Sequence, residues 1–177
     1  MGAQRGDTLE LVSRVYGLHG SAVRRYFIRL TRNPDLANDL SQEVYLKVLR
    51  AAATYRPQER ERAWVFRIAQ NVLLDHYRRT GRSREEQVDV EPVQAPGQNV
   101  ATALQHALAR LAAGDRDVFL LGEVGGLSYA EIASLLDTTV PAVRSRIYRT
   151  RLALRDMLTP PAPLADAAAR RYDDEGG

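Results

Sequence analysis

Cysteine is absent from this 177-residue chain, and Lys47 is the only lysine among its 25 basic residues. Without cysteine the protein has no disulfides, no thiolate metal sites and no cysteine nucleophile. Aromatic residues make up only 7% of the sequence. No apolar run approaches the roughly 20 residues that a membrane span requires, and the N-terminus has no signal-peptide stretch. These absences predict a soluble, cytoplasmic protein.

The sequence also lacks the patterns that mark a catalytic or metal site. Its three histidines, His19, His76 and His106, are scattered along the chain. No carboxylate pair lies in an acid–base motif, and there is no glycine-rich phosphate loop. We therefore expect no enzyme activity, no cofactor and no metal, with each histidine on the surface or in the core.

The charge that is present comes mainly from arginine. The formal net charge is only +3, yet the sequence pI is about 9.4 because the basic surplus is arginine. A basic balance suits a nucleic-acid partner. An arginine-rich composition can also reflect a GC-rich genome, so the positions of the arginines are more informative than their number.

Composition divides the chain into two helical blocks. Residues 8–82 have helical periodicity, with breaks predicted at Pro34 and Pro57. Residues 83–99 are acidic and poor in apolar side chains, which indicates a flexible linker. A second helical block covers 100–158, and the proline-containing tail from 159 to 177 is predicted to be disordered. The predicted fold class is all-α, with two small helical domains.

The C-terminal block contains two short helices joined by a tight turn. Ser128 and Glu131 have the spacing of a capping box at the start of the first helix. The break is predicted at 137–138, Gly125-Gly126 is predicted to form the preceding turn, and Thr139 can cap the second helix. This pattern predicts a helix-turn-helix.

The second of these helices has a buried face and an arginine-rich exposed face. Steps of three and four residues place one set inward: Val143, Ile147, Thr150, Leu154 and Leu158. The outward set is Arg144, Ser145, Tyr148, Arg149 and Arg151. No acidic residue occurs on this helix before Asp156, so pairing within the helix cannot neutralise the arginines. Arginine can bond guanine bidentately in the major groove, which favours DNA binding over an ordinary solvated face.

The first block contains one helix with an acidic outer face. Its buried side is predicted from residues four apart: Leu36, Leu40, Val44 and Val48. Asp39, Gln42 and Glu43 share the opposite face, and Asp35 lies near the helix start. This face suits either a cationic partner or plain solvent.

A second helix, 62–79, combines an apolar stripe with aromatic, basic and amide side chains. The stripe is Val65, Ile68, Ala69, Val72 and Leu73. The candidates for other surfaces are Trp64, Phe66, Arg67, Gln70, Asn71, His76 and Tyr77. Rings that stack on bases and cations that follow phosphates are typical of single-stranded DNA binding. Trp64 and Phe66 suit a protein core equally well.

Together these motifs resemble those of an extracytoplasmic-function sigma factor of RNA polymerase. The resemblance lies in residues 35–49, 63–71, 75–79, 128–133 and 140–151, in the family's order and spacing, and extends from Leu9 to Leu158. It implies a factor that binds core RNA polymerase and directs promoter-specific transcription initiation. It implies a promoter DNA partner as well, and many relatives also have an anti-sigma factor.

The resemblance assigns roles to residues of the first domain. Asp35, Asp39, Gln42 and Glu43 match the surface that docks on the clamp helices of the polymerase β′ subunit. Asn71 matches a residue that reads an extruded base of the −10 element, with Phe66 and the loop from Tyr55 to Glu61 forming the pocket wall. The cations expected to hold the DNA backbone are Arg67, Arg78 and Arg79.

In the second domain the resemblance assigns the −35 element to the exposed helix face. Arg144, Ser145, Tyr148 and Arg149 match positions that contact bases, and Thr139 and Arg146 are expected on phosphates. Residues 100–124 are expected to support this unit and to meet the polymerase β flap. The sequence departs from the common pattern at Pro141, Ala142 and Gln70.

The alternative is a stand-alone helix-turn-helix regulator whose first domain dimerises or senses a ligand. A dimeric regulator predicts a palindromic site with half-sites about one helical turn apart. A sigma factor instead predicts two dissimilar elements and dependence on core polymerase.

Overall fold

The computed structural model describes residues 2–55, 60–81 and 100–159 of the chain. Within these ranges the chain forms seven α-helices and one 3₁₀ turn, with no strand, so the predicted all-α class is confirmed. The predicted linker, the loop residues 56–59 and the tail beyond Thr159 lie outside the described residues. None of the described helices is both long and apolar enough to cross a membrane.

The first three α-helices pack together at the N-terminal end of the chain. They are α1 (Gly2–Thr31), α2 (Pro34–Ala51) and α3 (Glu61–Thr80), with a 3₁₀ turn (Ala52–Thr54) after α2. The remaining four are α4 (Val100–Ala109), α5 (Ala113–Glu123), α6 (Tyr129–Leu135) and α7 (Val140–Leu158). Helix α7 packs against α4, α5 and α6.

The break between α1 and α2 is fixed by local backbone chemistry. Arg32 has a positive φ of 54°, which ends α1. The side chain of Asn33 then accepts hydrogen bonds from the Asp35 and Leu36 amides, both at 3.0 Å. Pro34 occupies the first turn of α2, where its missing amide proton is not needed. The predicted break at Pro34 is confirmed.

The core of the N-terminal domain lies between α1, α2 and α3. The predicted inward residues Leu40, Val44 and Val48 of α2 are buried, whereas Leu36 is half-buried. In α3 the stripe of Val65, Ala69, Val72 and Leu73 is buried, and Ile68 is half-buried. Both amphipathic faces therefore pack as the sequence predicts.

Helix α3 buries more of its circumference than its apolar stripe predicts. Phe66 is fully buried and packs edge-to-face on Tyr26, with ring centroids 5.6 Å apart. Gln70 is also buried and donates a hydrogen bond to the Tyr26 hydroxyl. Tyr77 is buried as well. Because α1 and α2 both cover α3, these three side chains belong to the core and not to the predicted outer surfaces.

The C-terminal domain turns sharply between α5 and α6 at two glycines. A Cβ on Gly125 would lie 2.5 Å from the carbonyl oxygen of Leu121, so a larger residue does not fit. Gly126 has φ of 66°, a conformation that favours glycine. The predicted Gly125-Gly126 turn is confirmed, and it connects α5 to α6.

Candidate nucleic-acid interface

The start of α6 is fixed by a reciprocal capping box. The Ser128 hydroxyl accepts a hydrogen bond from the Glu131 amide at 3.3 Å, and the Glu131 carboxylate accepts one from the Ser128 amide at 2.7 Å. Burial tends to raise the pKa of Glu131, but the hydrogen bonds from Ser128 and the charge of Arg60 outweigh it, so this pKa is lowered. The carboxylate thus stays charged where the helix begins.

The turn between α6 and α7 follows the predicted helix-turn-helix pattern. Helix α6 ends at Leu135, and Asp137 has a positive φ of 49°. The side chain of Thr139 accepts a hydrogen bond from the Ala142 amide at 3.3 Å, and Pro141 lies in the first turn of α7. These local contacts orient α7 as the second helix of the motif.

The outer face of α7 presents the predicted polar and basic side chains. Arg144, Ser145, Tyr148 and Arg149 are all exposed, with 64% of Tyr148 accessible. Arg149 donates a hydrogen bond to the Ser145 hydroxyl at 3.0 Å, which holds the two side chains side by side. This face can offer a guanidinium, a phenol and a hydroxyl to the edges of bases.

The buried face of α7 is shorter than its apolar period predicts. Val143, Ile147, Thr150 and Leu154 are buried as expected. Leu158, the last residue of the predicted inward set, is instead 39% exposed. Residues 156–159 are all exposed, so the last turn of α7 extends beyond the cover of the neighbouring helices. The apolar periodicity of the sequence continues to Leu158, but the neighbouring helices do not extend far enough to cover this last turn.

Two arginines of α7 are paired with carboxylates of another helix, which the pattern along α7 does not predict. Arg151 donates to Glu123 of α5 at 2.6 Å, and this hydrogen bond raises the pKa of Arg151. Arg146 lies 3.8 Å from Asp115, also on α5. Among the described residues Arg144 has no carboxylate partner. The central face is therefore free for an anionic ligand, and the flanking arginines are held by α5.

In the N-terminal domain, Asn71 lies in a groove between α2 and α3. The groove has a volume of about 450 Å³ and is lined by Lys47, Ala51, Ile68, Asn71, Asp75 and Arg78. Lys47 donates to Asp75 at 2.7 Å, and Arg78 donates to the other oxygen of Asp75 at 3.0 Å. The hydrogen bond from Lys47 lowers the pKa of Asp75. An exposed amide thus lies beside two cations that share one carboxylate.

The other residues predicted near the −10 element differ in how exposed they are. Arg67 is exposed, and Trp64 packs against Tyr55 with ring centroids 4.6 Å apart. Phe66 cannot line an open pocket in this fold because it is fully buried against Tyr26. Its assignment as a pocket wall is wrong, and most of the loop assigned with it lies outside the described residues.

The acidic face of α2 is only partly available to a partner. Asp35, Asp39 and Gln42 are exposed. Glu43 instead accepts a hydrogen bond from Arg79 of α3 at 2.9 Å and lies 3.9 Å from Lys47. The predicted polymerase surface therefore touches one of the predicted phosphate contacts.

Comparison with known proteins decides the family. The family model for Sigma-70 region 2 matches residues 15–83, and the one for Sigma-70, region 4 matches residues 101–154. RNA polymerase sigma factor CarQ of Myxococcus xanthus is 30% identical over 151 residues, which cover 81% of this chain and 87% of CarQ. The chain belongs to the extracytoplasmic-function RNA polymerase sigma factors.

Two further relatives support the assignment of this sigma factor. The ECF RNA polymerase sigma factor SigE of Mycolicibacterium smegmatis is 38% identical over 151 residues, covering 79% of this chain and 58% of SigE. The present chain thus spans less than two thirds of SigE. The solved structure of CnrH in complex with the cytosolic domain of CnrY is 26% identical, with a TM-score of 0.65, and covers 88% of this chain and 97% of CnrH.

One cluster in this sigma factor has no signature in the sequence. Glu61, the first residue of α3, accepts a hydrogen bond from Arg14 at 2.7 Å and lies 3.1 Å from Nε2 of His19. Both partners are on α1. Burial lowers the pKa of His19. The partners are more than 40 residues away in sequence, so no local pattern could reveal the cluster, which fixes the N-terminus of α3 to α1.

Proposed function

We propose that this sigma factor binds core RNA polymerase and directs promoter-specific initiation through two separate DNA surfaces. The N-terminal domain, residues 8–82, acts at the −10 element, and the C-terminal domain, residues 100–158, acts at the −35 element. The observation that carries this proposal is the outer face of α7, whose exposed Arg144 and Arg149 have no carboxylate partner among the described residues. Such a face is suited to the major groove.

At the −35 element, α7 reads bases and the residues around it hold the backbone. Arg144, Ser145, Tyr148 and Arg149 contact base edges in this proposal. Thr139 and Arg146 contact phosphates, and Arg146 can exchange its 3.8 Å contact with Asp115 for a phosphate oxygen. A good bidentate arginine–guanine pair discriminates against the wrong base by about 1–3 kcal/mol.

At the −10 element, the groove around Asn71 captures an extruded base. The amide of Asn71 reads the base edge, and Arg67, Arg78 and Arg79 follow the phosphates. Extruding a base costs a few kcal/mol, so a groove that binds the extruded base both selects sequence and promotes strand opening. The ion pairs of Asp75 with Lys47 and Arg78 support this role because they hold the two cations beside the groove.

The polymerase surface is the exposed acidic face of α2. Asp35, Asp39 and Gln42, together with Glu43, face a cationic partner, the clamp helices of β′. The helices α4 and α5 meet the β flap. An anti-sigma factor is a further partner in this proposal. In this proposal the protein acts in the cytoplasm and recognises the promoter, while the polymerase catalyses RNA synthesis.

The decisive experiment mixes the purified chain with bacterial core RNA polymerase and a library of promoter DNAs. We expect a stable complex that initiates only when both components are present, from promoters that share two dissimilar elements. Tight binding of the chain alone to a palindromic site, without any effect on core polymerase, would establish the dimeric regulator instead.

A matched pair of variants makes this experiment specific to α7. Arg144→Ala/Arg149→Ala should abolish selection of promoter sequences at the −35 element, the upstream element of the promoters in the library. Arg110→Ala/Arg155→Ala removes the same number of exposed arginines, one after α4 and one near the C-terminal end of α7, away from the central face, and should leave selection intact. Equal selection by the two double variants would contradict the assignment of the −35 element to the outer face of α7.

A further inference from the structure

A surface cavity lies between the end of α1 and the first half of α4, and none of the DNA-contact residues of the proposed function lines it. Its volume is about 350 Å³, which is within the range of small-molecule sites. Three basic side chains, those of Arg29, Arg32 and His106, are among its walls. We propose that this cavity is a binding site for a small organic phosphate of about the size of a mononucleotide.

Helical spacing brings the polar side chains of the cavity together. Arg29 lies in the last turn of α1, and the Arg32 amide donates to the Ile28 carbonyl oxygen at 3.0 Å, one turn earlier in the chain. Thr102 and His106 are four residues apart, so they share one face of α4. Because α1 packs against α4, the two arginines and these two side chains border the same cavity.

Arg29 is held in position by Gln105. Its guanidinium donates to the side-chain oxygen of Gln105 at 2.8 Å. The Gln105 amide nitrogen donates in turn to the carbonyl oxygens of Ile28 and Arg29, at 3.3 and 3.2 Å. The amide group of Gln105 is thereby used within the protein, whereas the other guanidinium N–H groups of Arg29 have no partner within the described residues. This half-buried arginine is therefore oriented in advance and can still donate to a ligand.

The cavity carries positive charge that no carboxylate balances. None of the described residues that line it is acidic, and Asp35, the next carboxylate along the chain from Arg32, is not among them. Neither Arg29 nor Arg32 forms an ion pair in the described part of the chain, in contrast to Arg14, which pairs with Glu61. A cleft with charges of one sign concentrates ions of the opposite sign. Since a guanidinium can bond a phosphate through two parallel N–H···O hydrogen bonds, a phosphate is the anion that these side chains suit best.

The rest of the cavity suits the organic part of such a ligand. Beside the basic groups it has apolar walls formed by Ile28, Pro34 and Ala101. An inorganic phosphate would contact the basic groups alone, whereas a mononucleotide can also place its sugar or base on the apolar walls. Apolar walls with a few placed polar groups are typical of small-molecule sites. The same phosphate chemistry occurs in a free nucleotide and in a nucleotide unit of a nucleic acid, so both are compared below.

Calorimetric titration of the full chain with adenosine 5′-monophosphate (AMP) tests the site. We expect saturable binding of AMP at one site, weaker binding of inorganic phosphate, and no binding of adenosine, which has the sugar and base but no phosphate. Raising the salt concentration should weaken the binding of AMP, because the charges are screened. Absence of AMP binding up to about 10 mM overturns the proposal, as does equal binding of AMP and adenosine.

A matched pair of double variants assigns the binding to this cavity. Arg32→Gln/His106→Gln removes two basic groups and leaves the contact of Arg29 with Gln105 in place. It should bind AMP at least about tenfold more weakly, because a hydrogen bond to a charged group contributes about that factor. Arg50→Gln/His76→Gln replaces the same residue types on α2 and α3, outside the cavity, and should bind AMP like the unchanged chain. Equal affinity of the two double variants overturns the proposal.

A second variant adds a charge to the cavity without removing any contact. Thr102 is exposed in the first turn of α4, where an acidic side chain is favourable for the helix, so Thr102→Glu is expected to fold. Its carboxylate should abolish AMP binding, and Thr102→Gln, which has the same size and no charge, should retain it. AMP should accordingly raise the melting temperature of Thr102→Gln and not that of Thr102→Glu. An equal rise in both variants contradicts the site.

A single-stranded oligonucleotide distinguishes the two sources of the phosphate. If Arg32→Gln/His106→Gln weakens binding of the oligonucleotide by the same factor as binding of AMP, the cavity also accepts a nucleotide unit of a nucleic acid. If only the binding of AMP is weakened, the ligand is a free small phosphate. All these titrations use the chain without polymerase, so a failure to initiate transcription would overturn the proposed function and leave this inference standing.

Discussion

The guanidinium of Arg79 lies 2.9 Å from the carboxylate of Glu43, so a proposed phosphate contact and a proposed polymerase contact neutralise each other. Both side chains are partly exposed, which makes the pair easy to exchange for other partners. If α2 docks on the polymerase through Glu43, Arg79 is released towards DNA. In the proposed function, this ion pair would therefore couple polymerase binding to DNA binding.

The first prediction concerns this coupling. Glu43→Gln should release Arg79 and raise the affinity of the isolated chain for a single-stranded −10 oligonucleotide about two- to fivefold, because one more cation becomes available to phosphates. Fluorescence anisotropy at low salt measures the affinity. Asp35→Asn is the matched control, since Asp35 is exposed and forms no ion pair within the described residues. An equal gain in both variants would contradict the coupling.

A second prediction separates the arginines of α7. Arg149→Ala should cost about 1–3 kcal/mol of binding to an upstream-element duplex and relax specificity there, because Arg149 lies on the central exposed face. Arg155→Ala should have little effect, since Arg155 pairs with Asp156 on the same helix near its end. Binding titrations against duplexes with single base-pair changes test this directly. Uniform weakening across all sequences would assign Arg149 to phosphates.

A third prediction concerns the groove on the first domain. Asn71→Ala should spare upstream binding and impair −10 discrimination or strand opening, because Asn71 lines the groove between α2 and α3. Permanganate reactivity of unpaired thymines in the polymerase complex reports on opening. Arg149→Ala provides the reciprocal control, since it should weaken binding at the upstream element and leave −10 discrimination intact. An identical defect in both variants would show that the proposed division of labour is wrong.

The buried position of Phe66 leads to a fourth prediction. Phe66→Ala should lower the free energy of unfolding by about 3–5 kcal/mol, since it empties a fully buried site beside Tyr26. Phe66→Leu retains an apolar side chain and should cost much less. Urea denaturation measures both. We expect Phe66→Leu to keep −10 recognition, and selective loss of recognition in a stable Phe66→Leu protein would restore a direct DNA role.

The fifth prediction is a pH dependence of stability from His19. Burial lowers the pKa of His19, and the charge of Arg62 acts in the same direction. The hydrogen bond and the charge of Glu61 raise this pKa but do not outweigh the effect of burial. In the unfolded chain the pKa is about 6.5. As the pH falls below that value, the unfolded state takes up a proton more readily than the folded state, so stability is lost.

His19→Gln tests this dependence because glutamine can keep a hydrogen bond to Glu61 and does not titrate. The free energy of unfolding, measured at about pH 7.5 and 5.5, should fall less in this variant than in the unchanged chain. His76→Gln is a suitable control because His76 is a half-buried histidine on α3. The same loss of stability in all three proteins would exclude His19 as the source.

The features that could be predicted from sequence are those fixed within a few residues. The capping box of Ser128 and Glu131, the Thr139 cap and the glycine turn all depend on local backbone chemistry, and all are found. The apolar stripes of α2 and α3 could also be predicted, as could that of α7 except for the exposed Leu158. These elements sufficed to predict the all-α class.

What could not be predicted depends on contacts between distant parts of the chain. Glu123 and Asp115 on α5 pair with arginines of α7, which a search along α7 alone cannot detect. Gln70 and Tyr77 are core residues because a second helix covers α3, and periodicity does not report how many neighbours a helix has. The Arg60–Glu131 contact between the domains has the same origin.

Lys47 allows the groove beside Asn71 to be probed by chemical modification. It carries the only ε-amino group of the chain, and that group is held against Asp75 at the groove. An amine-reactive reagent will therefore modify at most one lysine side chain per molecule. The rate of that single modification can be followed by mass spectrometry with and without nucleic acid. A slower rate with nucleic acid would show that the groove is covered, and the experiment needs no mutation.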